Sequence, residues 1–237
     1  MNLTLIIILI VTGAAFIRSF FGFGLALTAM PLLALVTDLQ TATPLAALLG
    51  TTIGLLILYR SWREVDVRSA WRLVLSSFIG IPVGLFVLKN APDDIVKGIL
   101  VVVIISFGLY SLFQPRLIVL HQRNWAYLFG FVAGIMGGAY NTSGPAVILY
   151  GTMRRWSPPR FRASMQGYFF PTGLFIFLGH GLSGLWTPWV IQLYAVTLPT
   201  VLIAFYLGER YNDLVSADRF DQLLYVILIL IGLLLLI

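Results

Sequence analysis

Cysteine is missing from the 237-residue chain, and charge is scarce: nine Asp and Glu, fifteen Lys and Arg, 10% charged residues in all. The first absence excludes disulfides, thiolate metal sites and a cysteine nucleophile, and it leaves the redox compartment open. The second excludes an ordinary soluble surface, because soluble domains carry about 25% charged residues. Histidine occurs only twice, as His121 and His180 near segment ends, so no metal cluster and no cofactor is expected. The opening Met1-Asn2-Leu3-Thr4 lacks the basic stretch that begins a signal peptide, and the apolar run Leu3 to Ile17 is expected to stay in the fold.

What is present is apolar surface, with 59% hydrophobic residues and a mean hydropathy of +0.97. Long apolar runs such as Trp71 to Leu88, Ile95 to Phe113 and Leu223 to Ile237 recur along the whole length and leave no stretch for a soluble domain. The net charge of +6 does not point to a nucleic-acid partner. Its basic residues fall in short gaps between apolar runs, which makes the lipid bilayer the partner. Trp62, Trp71, Trp125, Trp156, Trp186 and Trp189 read as interfacial anchors.

The chain reads as two halves, residues 1–114 and 115–237, each a transmembrane repeat of five apolar segments. Pro31 with Pro145, Pro44 with Pro158 and Gly24 with Gly138 all stand 114 residues apart. Further on, Gly84 with Gly208, Asp94 with Asp218 and Gly108 with Gly232 stand 124 apart, so the second half holds about ten extra residues in its third connection. The loop after the third segment carries Arg60, Arg63, Arg68 and Arg72, whereas its counterpart Gly181 to Leu185 carries no basic residue. The loop before that segment shows the reverse, with Arg154, Arg155, Arg160 and Arg162 in the second half only. By the positive-inside rule, matching loops lie on opposite sides of the membrane, which defines an inverted repeat. Arg116, Arg123, Arg210 and Arg219 join the cytoplasmic side, while Lys89 and Lys97 lie outside.

The first segments, Leu3 to Ile17 and Trp125 to Met136, are short for a core of about 30 Å. The fold class expected is therefore an all-α polytopic membrane protein of two inverted-topology repeats, each a re-entrant or broken helical hairpin plus three spanning helices. Ten full, tilted spans are the alternative. Irregular backbone at membrane depth must be buried in protein or line a cavity, because lipid satisfies no N–H or C=O group. The hairpin tips, Ile17 to Gly24 and Gly134 to Pro145, are thus the candidate site.

Arg18 sits at the first tip beside Ser19, Gly22 and Gly24, and no acidic residue lies in an apolar segment as a clear partner for it. A charge there costs about 2.5 to 3.5 kcal/mol and usually marks a pathway or a pairing, so an anion is its expected complement; in ten full spans Arg18 is only a cytoplasmic turn charge. At the second tip, Tyr140, Asn141, Thr142 and Ser143 lead into Gly144-Pro145 like residues that start a helix, aiming free N–H groups at the cavity. Gly138 belongs to this set as well, although Gly130, Gly134 and Gly138 also have the spacing of a packing stripe. Thr51, Thr52, Gln166 and Tyr168 are further polar candidates, with Gln166 matching Thr52 in the repeat; each either lines the cavity or bonds between helices.

With its two halves, its Gly-rich first segment ending in Pro31, and Gly137-Gly138 followed by Gly144-Pro145, the chain resembles the sulfite exporter TauE/SafE family over nearly its whole length. The resemblance implies carriage of sulfite, sulfoacetate or another organosulfonate across a prokaryotic plasma membrane. Alternating access, with Arg18 and Asn141 on one anion near the midplane, is the mechanism expected. An anion channel, a non-transporting assembly protein and an intramembrane enzyme built on Ser143 are the competing readings. Ser143 has no base in a segment expected to face it, so no catalytic residue is expected. The subunit number is open, a homo-oligomer included.

Overall fold

In lipid each segment must satisfy its own backbone, which favours helices throughout. The computed structural model describes residues 2–21, 25–61, 67–113, 117–211, 226 and 228–235, and all regular structure among them is helical. The helices are α1 (Leu3–Phe21), α2 (Leu25–Val36), α3 (Leu39–Ser61), α4 (Val67–Asn90), α5 (Asp93–Phe113), α6 (Trp125–Tyr140), α7 (Gly144–Met153), α8 (Pro158–Leu182) and α9 (Pro188–Tyr211). Residues 228–234 are also helical.

Among the described residues, four stretches are long and apolar enough to cross a bilayer: Leu39–Ile57, Ala70–Asn90, Asp93–Phe113 and Pro188–Arg210. By contrast α2 has 12 residues and α7 has 10, about 18 and 15 Å, well short of the core thickness. The first helix of each hairpin is longer than the sequence suggests. α1 continues past Ile17 to Phe21, about 28 Å, and α6 continues past Met136 through Gly137 and Gly138, about 24 Å. Each glycine costs a helix about 1 kcal/mol relative to alanine, and packing outweighs that here.

The chain forms two compact units. One comprises residues 1–49, 91–115 and 186–237; the other comprises 50–90 and 116–185. Each unit therefore draws helices from both sequence halves, and the division between units falls inside α3.

In the first unit α1 packs along α9. The Thr12 and Thr200 hydroxyls are 2.8 Å apart, and a Cβ added at Gly208 would lie 1.8 Å from Ser19 Oγ, so the two helices run in the same direction. Asp38 caps α3 by accepting from the Thr41 N–H at 2.7 Å, and Asp93 accepts from Leu39 N–H at 3.2 Å while pairing with Lys97 at 2.8 Å. The acidic residues at these ends are thereby occupied in capping.

In the second unit α4 and α6 lie side by side, also in the same direction. A Cβ at Gly130 would meet Leu73 O at 2.3 Å, one at Gly134 would meet Ser77 O at 2.5 Å, and one at Gly138 would meet Ile81 O at 2.3 Å. From the other side, Cβ atoms at Gly80 and Gly84 would meet Phe131 O and Ile135 O at 2.2 and 2.1 Å. Small residues thus let two backbones touch, which is how membrane helices gain dispersion energy without a hydrophobic effect between them. α8 packs against α4, with the Phe78 and Phe175 rings 4.7 Å apart, and α7 folds back on α6 through Phe129 and Tyr150.

The same pairing occurs in both units: the first helix of one sequence half lies parallel to the fourth helix of the other. Gly84 and Gly208, matched at a spacing of 124, are the points of close approach in their respective pairs. Gly84→Ala is expected to destabilise the protein by about 1–3 kcal/mol through overpacking, read as a lower unfolding midpoint in detergent. Gly98→Ala, where the added atom meets nothing within 4 Å, is the control and should leave the midpoint unchanged or raise it.

Because α4, α6 and α8 are parallel, Arg72, Arg123, Arg155 and Arg160 gather at one end of the second unit. At the other end Lys89 Nζ donates to Ser183 O at 2.6 Å and closes α8. The absence of native cysteine makes the orientation directly measurable. Leu182→Cys, 91% exposed, is expected to react with an impermeant maleimide in intact cells, and Ser157→Cys only after permeabilisation. The opposite pattern would invert the assignment.

Candidate functional site

The irregular backbone of the second unit is narrower than the sequence implies, because α6 holds its helical geometry through Tyr140. Asn141 then adopts the left-handed conformation, φ 52° and ψ 24°, which asparagine tolerates better than most side chains. Its N–H bonds Gly137 O at 2.8 Å and the Thr142 N–H bonds Met136 O at 3.3 Å, a closing pattern that satisfies two carbonyls of the last turn. Asn141 consequently ends α6 and does not start α7, a reversal of the sequence reading. Its side chain is half-buried, and its amide has no hydrogen-bond partner among the described residues.

Thr142 and Ser143 are buried, at 3% and 5% exposure. The Thr142 hydroxyl donates to Tyr140 O at 2.9 Å. Ser143 occupies the cap position of α7 but makes no side-chain cap bond. Ser77 Oγ donates to Gly130 O at 2.6 Å, so the Tyr168 hydroxyl donates to Ser77 at 2.8 Å. A buried chain from Tyr168 through Ser77 to Gly130 thus ties α8, α4 and α6 together. Pro145 has no N–H, and the cap side chain is turned away. Donors of the first turn of α7 and its positive dipole end stay uncapped by Ser143, as an oxyanion requires.

The structure brings Tyr140, Asn141, Thr142 and Ser143 together in one turn. Tyr140 is buried at 2% exposure. Gly138 faces the α4 backbone, so its small size serves helix packing. Gln166 lies on α8 two residues before Tyr168, and its Oε1 is buried with no hydrogen-bond partner among the described residues. In the first unit Arg18 is half-buried in the last turn of α1, while the Ser19 hydroxyl donates to Phe16 O and packs at Gly208. Gly22 and Gly24 lie outside the described residues. Sequence reasoning missed Ser77, whose signal was a Ser76-Ser77 pair within an apolar helix. It also set His180 aside as a segment-end residue, yet this side chain is fully buried, with Nε2 3.1 Å from Gly138 O.

Compared with known families, residues 6–235 match the family model described as Sulfite exporter TauE/SafE. Neither the curated proteins nor the solved structures yield a match.

Proposed function

Because the chain belongs to the sulfite exporter TauE/SafE family, a family of membrane transporters, we propose that it carries sulfite or a small organosulfonate by alternating access across a prokaryotic plasma membrane. The observation that carries this reading is the family match over nearly the whole chain. The break between α6 and α7 adds physical support: it offers donors of the Asn141 amide and the amino end of α7, and the acidic groups among the described residues stand at helix ends. Oxyanions are bound by such donors, and broken membrane helices use them for that purpose.

Arg18 and Asn141 are each proposed to bind anion, one from each sequence half. Support comes from their chemistry, a cation in the last turn of α1 and an amide directly after α6. A guanidinium fork suits two oxygens of a sulfonate, and an amide N–H suits one. The inverted relation of the two halves rests on the basic-residue asymmetry of matching loops.

Thermal unfolding of the purified protein against a panel of ligands tests the substrate class. Sulfite, sulfoacetate and ethanesulfonate are expected to raise the midpoint more than sodium, potassium or a neutral sugar, since a ligand that binds only the folded state must stabilise it. Equal or greater stabilisation by cations would overturn the anion reading. Saturable uptake into proteoliposomes is the further result that separates a carrier from a channel.

A further inference from the structure

His180 lies two residues before the end of α8 and is fully buried. It belongs to a ridge of Ser164, Tyr168, Thr172, Ile176 and His180, spaced every four residues along α8 and buried throughout. Four of five side chains on this ridge are polar, an expensive arrangement in a membrane helix and one that usually marks an ion or proton route. Tyr168 is bonded to Ser77, and Thr172 donates to Tyr168 O at 2.6 Å. At the ends of the ridge, Ser164 Oγ and His180 Nδ1 are buried with no hydrogen-bond partner among the described residues.

Nε2 of His180 meets the carbonyl of Gly138, in the last turn of α6 and three residues before Asn141. A carbonyl only accepts, so Nε2 carries the proton and the neutral ring leaves Nδ1 as a bare acceptor. Such an orphan is costly and calls for an explanation. Capping the α6 carbonyl explains Nε2 but not Nδ1, and an asparagine or glutamine amide would cap as well.

The composition of the interior narrows the roles open to this ring. Asp38 precedes α3, Asp93 and Asp94 begin α5, and Glu209 is in the last turn of α9; the other five acidic residues lie outside the described residues. His121 is exposed. Among the described residues His180 is therefore the one buried side chain of a type that titrates near neutral pH. The helices packed against α8 bring few other titratable groups. On α4, Lys89 stands one turn beyond Leu85, which lies against Gly179, and its Nζ is bonded to Ser183 O. α6 brings Tyr140, two residues past Gly138, and α7 brings Tyr150; Arg72 and Tyr127 stand at the far ends of α4 and α6.

We propose that His180 is a proton-binding site that couples proton to anion movement, taking up one H⁺ at Nδ1 together with the anion and releasing both on the other side. This rests on the transport reading above. A buried imidazolium needs a counter-charge, and no carboxylate among the described residues of its unit supplies one. The anion does, and by linkage each ligand then strengthens the binding of the other.

The test uses the full chain in proteoliposomes loaded with a pH-sensitive dye, with methanesulfonate, ethanesulfonate and sulfoacetate outside. These carry fixed charge near neutrality, so lumenal acidification reports protons that cross with them. The wild type is expected to acidify the lumen in step with anion uptake. His180→Gln and His180→Asn, which keep a donor for Gly138, should bind the anion without a gain at low pH, while acidification per anion falls about tenfold or more. Uptake without acidification in the wild type, or undiminished acidification in a variant, would overturn the proton site and leave the anion reading intact. No uptake of any of the three sulfonates by the wild type would overturn organosulfonate transport, and the coupling with it. If neither variant survives purification, the wild type decides: sulfonate stabilisation that is stronger at about pH 6 than at about pH 8 supports the site, and equal stabilisation rejects it.

Discussion

Asn141→Asp is expected to abolish anion transport, by about a hundredfold or more, in a protein that still purifies as a single species. Asparagine and aspartate both tolerate the left-handed backbone that ends α6, so the exchange keeps the turn and swaps an amide donor for a negative acceptor. An anion then meets like charge where it met an N–H. Asn141→Gly separates the two roles of this residue. Glycine is the most favourable choice for a left-handed helix end, so the fold should hold or gain, while a hydrogen bond to a charged group worth about 1.5–3 kcal/mol is lost. Affinity should fall by about ten- to a hundredfold. Asn141→Ala is the least informative variant, because the left-handed backbone costs it about 1–2 kcal/mol before any ligand is considered. Ligand affinity and unfolding midpoint measured together check the series. Wild-type affinity in Asn141→Gly would make this residue a helix end and nothing more.

Arg18→Gln is expected to remove transport as completely, and Arg18→Lys to weaken anion binding while keeping the charge. A cation in the last turn of α1 also interacts with the negative end of that helix, for about 0.3–1 kcal/mol at exposed positions. Lysine preserves that contribution and glutamine does not, whereas only arginine presents a planar pair of donors. If stability tracks charge and affinity tracks the guanidinium, the two roles are separate and both real. Wild-type flux and affinity in Arg18→Gln would reduce Arg18 to a topology charge. Combining Arg18→Lys with Asn141→Gly in a double-mutant cycle then asks whether both residues act on one anion, since independent sites would give additive losses.

Membrane residence, helical structure and the position of most segments were legible in the chain itself, because they depend on local composition. Apolar runs must be helical in lipid, and their lengths can be counted; α4 and α5 lie within a few residues of the runs that announce them. Asp38 at the start of α3 and the matched glycines at a spacing of 124 are likewise readable by eye. The direction of the turn at Asn141 was not. A polar residue followed by Gly-Pro signals a helix start, but Gly137 and Gly138 stay helical against α4 and carry α6 forward until Asn141 must close it.

Tertiary structure alone decided that each unit borrows helices from both sequence halves, that Gly138 faces a neighbouring backbone, and that Ser77, Tyr168 and His180 are interior. In a soluble protein the polar face of a helix reveals which side is buried. Here lipid is as apolar as leucine, so outward and inward faces look alike in sequence, and the choice of partner falls to close backbone approach and a few buried hydrogen bonds that only the folded molecule brings together.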